Sequence, residues 1–264
     1  MVNKNALIDI GANLTHDQLF KKIPSIIKKF KASHVQKVII TSSNIHDTEI
    51  ALDLIKKFPN VFYTTVGFHP HNAKDFEEND IEKMKVLTNN SNIVAIGECG
   101  LDYYREYSPK KQQIECFEKQ LDLCSKIDLP IFLHERGSHN DFYSMVKEYI
   151  NKIDNCVVHC FTGTKNELLK YVDLGCYIGI TGWITDLERG SHLHDIIKLI
   201  PEDKLMVETD SPYLMPKNIN KSYDTLNEPA YLPYIVEVIS KCLNKDIEYV
   251  CGKTYENTKR FFKI

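Results

Sequence analysis

The decapeptide Ile93-Val94-Ala95-Ile96-Gly97-Glu98-Cys99-Gly100-Leu101-Asp102 is an apolar run that ends among carboxylates. Its first half is Val- and Ile-rich and apolar at successive positions, as a strand covered on both faces should be. Moving outward in both directions, the same arrangement recurs. Short apolar runs lie at 6–10, 35–40, 61–67, 93–97, 130–133, 156–158, 175–180 and 204–207. Longer segments of helical period separate them. Leu19, Ile23, Ile26, Ile27 and Phe30 are spaced as one stripe, and Ile114, Phe117, Leu121 and Cys124 as another, behind a Ser108-Pro109 start signal. Phe142, Met145, Val146 and Tyr149 repeat the pattern, as do Leu168, Leu169 and Val172, and 231–264 reads as two more helices.

Eight strand–helix units in 264 residues average about 33 residues each, the size of one right-handed βαβ step. This predicts an α/β fold closed as a (β/α)8 TIM barrel, with residues 1–264 as a single domain. A doubly wound open sheet competes, but it normally carries a glycine-rich phosphate loop after its first strand. Gly11-Ala12-Asn13-Leu14-Thr15 lacks that pattern.

Composition narrows the function. Hydrophobic residues are 43% and charged residues 26%, globular values that allow a large core. There is no apolar run near the ~18 residues of a membrane span and no signal-peptide pattern, so a cytoplasmic protein is expected. The net charge of −3 excludes a broad basic field for duplex binding, though not a local phosphate site. Eight scattered cysteines without a Cys-x-x-Cys pair read as reduced, buried, small hydrophobes, with a disulfide or zinc role as the alternative.

The chemistry stands at the strand ends. The third run leads into Gly67-Phe68-His69-Pro70-His71, the fourth into Glu98, the fifth into His134-Glu135-Arg136, the sixth into His159-Cys160 and the eighth into Glu208-Thr209-Asp210. In a barrel these ends meet on one face, where active sites sit. Glu98, His134, His159 and Asp210 then surround one pocket. Singly, a histidine is a hydrogen-bonded structural residue and a strand-end Asp a turn residue. Several aimed at one mouth are costly unless a cation joins them. A mixed carboxylate and imidazole set suits Mg²⁺, Mn²⁺ or Zn²⁺.

These motifs resemble those of the TatD-family deoxyribonucleases. The resemblance runs through Asp9-Ile10-Gly11-Ala12-Asn13-Leu14-Thr15, Val66-Gly67-Phe68-His69-Pro70-His71 and Ala95-Ile96-Gly97-Glu98-Cys99-Gly100-Leu101-Asp102. It continues in Val158-His159-Cys160-Phe161-Thr162-Gly163-Thr164, Tyr177-Ile178-Gly179-Ile180-Thr181-Gly182-Trp183, Glu208-Thr209-Asp210-Ser211-Pro212-Tyr213-Leu214 and Asn227-Glu228-Pro229, and so covers nearly the whole chain. It implies a metal-dependent hydrolase barrel that cleaves DNA, in the family's namesake as a 3′-to-5′ exonuclease preferring single strands with Mg²⁺. Many relatives carry a His-x-His pair where this chain has Gly11 and Asn13, a substitution shared by the TatD branch proper. Two imidazoles are thereby missing, and Asn13 offers an amide oxygen instead. The chain also departs in reading His-Glu-Arg at 134–136, where Cys more often precedes the Arg, and in having Tyr231 where a His is common.

The expected roles follow. Glu98, His134, His159 and Asp210 are assigned as metal ligands, and Asp210 also as general base. His69 is assigned as a catalytic residue, contacting the substrate phosphate or donating a proton to the leaving oxygen. Arg136 is the phosphate clamp, with His71, Asn13 and Tyr213 as further substrate contacts. Glu208 is expected deeper in the barrel in a structural role, and Glu135 to point away from the lumen. Arg105, Lys217 and Lys221 lie in loops near the same mouth, and Tyr103, Tyr104, Trp183 and Tyr213 are candidates to stack on bases. The run Lys21, Lys22, Lys28, Lys29 and Lys31 reads as a solvated face, and His16, His34, His46, His139, His192 and His194 as surface residues. The reading is a metal-dependent deoxyribonuclease acting as a monomer on single-stranded DNA. A small-molecule ester, amide or lactone hydrolase on the same barrel is the alternative, and a non-catalytic binding module the third.

Overall fold

A computed structural model describes residues 5–219 and 226–264. Eight strands form one sheet in sequence order: β1 (Leu7–Ala12), β2 (Val35–Ile40), β3 (Phe62–Val66), β4 (Ile93–Asp102), β5 (Ile131–Arg136), β6 (Cys156–Val158), β7 (Tyr177–Ile180) and β8 (Leu205–Val207). Every neighbouring pair is parallel. The helices are α1 (Asp17–Phe20), α2 (Ile23–Ala32), α3 (Ile45–Lys57), α4 (Asp80–Leu87), α5 (Lys110–Cys124), α6 (His139–Tyr149), α7 (Lys165–Asp173), α8 (His192–Ile196), α9 (Leu232–Leu243) and α10 (Ile247–Phe262). The expected (β/α)8 barrel therefore forms. No helix among the described residues is long and apolar enough to cross a membrane.

Alternation along the strands sorts the side chains. Ile39, Phe132, Val157 and Met206 belong to an inner cluster that fills the lumen, while Val38, Ile40, Ile131, Leu133, Val158, Leu205 and Val207 pack outward under the helices. Phe261 and Phe262 of α10 join the inner cluster and stop the barrel's lower end. By the same period-two logic His134 follows Phe132, His159 follows Val157, and Glu208 follows Met206 onto the lumen side.

β4 breaks this parity, and the break matters. Ala95 belongs to the inner cluster and Cys99 to the outer one. The register to β5 shifts between Ile96 and Cys99, and that shift brings the even-numbered Glu98 to the mouth. Gly100 has φ +145°, and a Cβ there would collide with the carbonyl of His134, so only glycine lets the two strands pack.

Two local readings differ from the structure. The stripe from Leu19 to Phe30 is two helices, broken at Lys21–Lys22, with Pro24 in the first turn of α2, where its missing N–H costs nothing. Ser108 makes no cap for α5; its hydroxyl donates to His71 O (2.8 Å) and accepts from Lys74 N (3.0 Å), holding the loop after β3.

The ring is closed just beyond the short β8. Asp210 N–H donates to Gly11 O (2.8 Å) and Asn13 N–H to Ser211 O (2.7 Å). Asp9, fully buried, accepts from Thr209 N (2.9 Å), Thr209 Oγ1 (2.5 Å) and Gly11 N (3.2 Å). Burial outweighs these donors, and Glu208 adds repulsion, so the Asp9 carboxyl is pushed up to about 8. Folded Asp9 thus keeps its proton to about pH 8, whereas the unfolded chain releases it near pH 4. Its contribution to stability is full below the unfolded value and is lost as pH rises to the folded one. Asp9→Asn should remove that slope, on the order of 1.4 kcal/mol per pH unit between about pH 5 and pH 8. Urea unfolding of both proteins across that range checks it; parallel stability curves would show that Asp9 is ionised in the fold.

Candidate active site

The C-terminal mouth of the barrel opens into a cavity of about 770 Å³. Its centre is one oxygen. Glu98 Oε1 lies 2.7 Å from His159 Nε2, 2.9 Å from His134 Nδ1 and 3.2 Å from His69 Nε2. Three strands supply the imidazoles: β5 carries His134, and His69 and His159 follow β3 and β6. Burial alone would raise the Glu98 carboxyl; His159, His69 and His134 outweigh it and hold the group well below the carboxylate range. Burial likewise opposes the charged form of His159, but Glu98 and Glu208 overcome it and raise that imidazole well above its ordinary value. In His69 burial wins against Glu98, and its pKa falls to about 4.

Supporting contacts fix each ring. Glu208, fully buried, lies 3.3 Å from His159 Nδ1 and accepts from Cys160 N (2.5 Å). The same carboxylate explains Gly11: a Cβ there would sit 2.5 Å from Glu208 Oε2. His69 Nδ1 accepts the His71 N–H (3.1 Å), which leaves the proton of the neutral ring on Nε2. Gln120 clamps the backbone before it, accepting from Phe68 N (2.8 Å) and donating to Phe68 O (3.1 Å).

The assigned residues divide as follows. Glu98, His134 and His159 come together as expected, and His69 joins them; the donor atoms of His69, Glu98 and His134 all lie within 4.8 Å of one another. Asp210 lines the same cavity in a left-handed conformation (φ +54°). Burial and the carboxylates of Glu98 and Glu208 push it up to about 7 against the pull of His159. Asn13, expected to offer its amide oxygen and to contact substrate, lines the cavity but has both ends of its amide engaged. Its oxygen accepts from Thr41 Oγ1 (3.1 Å) and its amino group donates to Asp210 Oδ1 (3.1 Å), so it orients Asp210.

The rim carries Arg105, Tyr107, Arg136, Trp183 and Tyr213. The Arg136 guanidinium lies 4.3 Å over the Tyr104 ring, and that of Arg189 4.4 Å over Trp183. Tyr103 turns away, its hydroxyl on Asp141 (2.9 Å). Glu135 accepts from Ser138 N (2.8 Å) at the start of α6. Lys217 is tied by its backbone to Thr185 Oγ1 (2.7 Å), and Lys221 lies outside the described residues. The run Lys21, Lys22, Lys28, Lys29 and Lys31 is exposed, as expected, and Lys29 pairs with Glu228 (2.8 Å) from that face. His16, expected on the plain surface, lines the cavity and meets Tyr213 edge-on with centroids 6.0 Å apart.

Asp102 and Gln113, without an assigned role from the sequence, also support the site. Asp102 shares parity with Glu98 on β4, a signal available in the motif itself. Gln113 gave none: it lies on a helix, and only the fold brings it to β4.

Imidazole nitrogens and a carboxylate oxygen gathered around one buried point fit a divalent cation. A parallel barrel with this donor set at its C-terminal mouth defines a metal-dependent hydrolase. The chain matches the family model for TatD related DNase over residues 8–263, and it belongs to that family. It is 36% identical over 259 residues to the 3′-5′ ssDNA/RNA exonuclease TatD of Salmonella typhimurium, covering 98% of this chain and 99% of the relative. The Erwinia tasmaniensis protein of the same name is 38% identical, with 98% and 100% covered. Among solved structures, a TatD family hydrolase from Entamoeba histolytica superposes with a TM-score of 0.88 at 29% identity, covering 97% and 98% of the two chains. A TatD homologue from Escherichia coli gives 0.90 at 22% identity, with 99% and 100% covered, and speaks for the fold.

Glu98→Gln removes the charge around which three imidazoles are arranged. Its Mn²⁺ dissociation constant should rise by about 100-fold or more, beyond the range for losing an outer-shell partner. Calorimetric titration of the metal-free protein checks this; wild-type affinity in Glu98→Gln would rule Glu98 out as a ligand.

Proposed function

We propose that this chain is a divalent-metal-dependent 3′-to-5′ exonuclease that hydrolyses single-stranded DNA, with Mg²⁺ as its working cation. One observation carries the reading. The floor of the cavity holds a carboxylate among three imidazoles, while its rim holds arginines beside exposed aromatic rings. The polarity and the single-strand preference are supported by the names of the curated relatives, which extend to RNA.

When bound, the cation supplies Lewis-acid polarisation of the scissile phosphate and eases deprotonation of the attacking water. Glu98, His134, His159 and Asp210 would hold it, with His69 adjoining. Asp210, poised at about 7 in the metal-free protein and oriented by Asn13, takes the proton from water. His69 is neutral at physiological pH and presents an Nε2 proton to a substrate oxygen. Arg136 and Arg105 offset the charge that develops on the phosphate. Tyr213, 53% exposed, and Trp183 offer faces to unpaired bases, each stack contributing roughly 1–3 kcal/mol. Bases stacked within a duplex cannot reach these rings. His71, beside Tyr107 with centroids 4.7 Å apart, completes the substrate contacts. A cytoplasmic monomer completes the proposal, and eight free cysteines are in keeping with a reducing compartment.

The test uses 3′- and 5′-labelled single-stranded and duplex oligonucleotides with Mg²⁺, Mn²⁺ or chelator. Expected are chelator-sensitive loss of 3′ nucleotides from single strands, a kcat lower by about 10²–10⁴ in Asp210→Asn, and a raised KM in Arg136→Ala. No chelator-sensitive cleavage, full activity in Asp210→Asn, or faster turnover of small esters and lactones than of DNA would overturn the reading.

A further inference from the structure

Asp102 closes β4 four residues beyond Glu98, and its side chain is 1% exposed. Its two oxygens serve different partners. Oδ1 accepts from the backbone N–H groups of Tyr104 (3.0 Å) and Arg105 (2.8 Å). These begin the loop that brings Arg105 and Tyr107 to the rim. Oδ2 faces two imidazoles, 2.8 Å from His71 Nε2 and 3.4 Å from His134 Nε2. The opposite nitrogen of His134 is the one that meets Glu98 and His159. The backbone that carries this carboxylate is held as well. Gln113 grips the Asp102 backbone, accepting from its N–H (2.8 Å) and donating to its carbonyl (3.1 Å).

A buried carboxylate beyond a metal-facing histidine sets that ring's tautomer and its aim. With the proton held on Nε2, the Nδ1 lone pair of His134 is directed at the centre beside Glu98. Asp102 is also bonded to the loop that carries Arg105 to the rim. We infer that Asp102 is a positioning residue that joins the metal centre to the substrate rim. Its Oδ2 aims His134 at the cation, and its Oδ1 sets the loop that presents Arg105. The rim half of this inference rests on the nuclease reading; the metal half does not.

Two substitutions separate the halves. Asp102→Asn keeps an oxygen for the Tyr104 and Arg105 N–H groups but turns the other position into an amino group facing two imidazoles. Its Mn²⁺ dissociation constant, measured by calorimetry without nucleic acid, should rise about 10–100-fold. At saturating Mn²⁺ its KM for a single-stranded oligonucleotide should rise less than that of Asp102→Ala, because the Oδ1 bonds to the loop remain and only the His71 contact is altered. Asp102→Ala loses both halves: metal affinity falls and KM at saturating Mn²⁺ rises about tenfold. Circular dichroism melts confirm that each variant is folded. A third readout needs no substitution. Long-range proton–nitrogen NMR of the Mg²⁺-loaded wild type should show the His134 proton on Nε2. Wild-type Mn²⁺ affinity in Asp102→Asn, or a proton on Nδ1, overturns the metal half; an unchanged KM in Asp102→Ala overturns the rim half. If the wild type cuts no nucleic acid while Asp102→Asn still loses metal affinity, the nuclease reading fails and the metal half stands.

Discussion

The site hangs on one buried oxygen. Glu98 Oε1 faces nitrogens of His69, His134 and His159. Removing a carboxylate from water costs several kcal/mol, and only close opposite charge or a cation offsets it. The partners come from three different strand ends, separated in sequence by up to 90 residues between His69 and His159. They meet only if the sheet closes with the right register, so the fold's correctness and the site's existence are one condition.

That condition is met from below and from the side. The lumen beneath the site is packed by Phe132, Val157 and Met206 and stopped by Phe261 and Phe262. Closure between β1 and the chain after β8 runs through buried Asp9 and the backbone at 209–211. The same strap carries Asp210 and, through Asn13, fixes its carboxylate. Gln120 on α5 props the His69 loop, and Gln113, two turns earlier, props Asp102. One helix face thereby supports two sides of the cavity.

Much of this was legible in the sequence, for physical reasons. Two-faced apolar runs and a repeat of about 33 residues suit a parallel barrel, and strand parity directs His134 and His159 inward from Phe132 and Val157. What escaped depended on contacts between distant segments. Parity from Ala95 would have sent Glu98 the wrong way but for the register shift in β4. A break at Lys21–Lys22 looks like continuous helix when only the apolar stripe is read. Asn13 resembled an available amide until Thr41 and Asp210 were seen to occupy both ends of it. His16 has the look of a surface residue because nothing nearby in sequence reveals that the loop after β1 borders the mouth.

The most direct measurement of the central claim is anomalous diffraction from a crystal soaked in Mn²⁺. A single strong peak is predicted among Glu98, His134 and His159, within about 2.0–2.3 Å of their donor atoms, with Asp210 turned toward it. Full Mn²⁺ occupancy elsewhere on the protein, with the imidazoles still closed on Glu98 alone, would contradict the account.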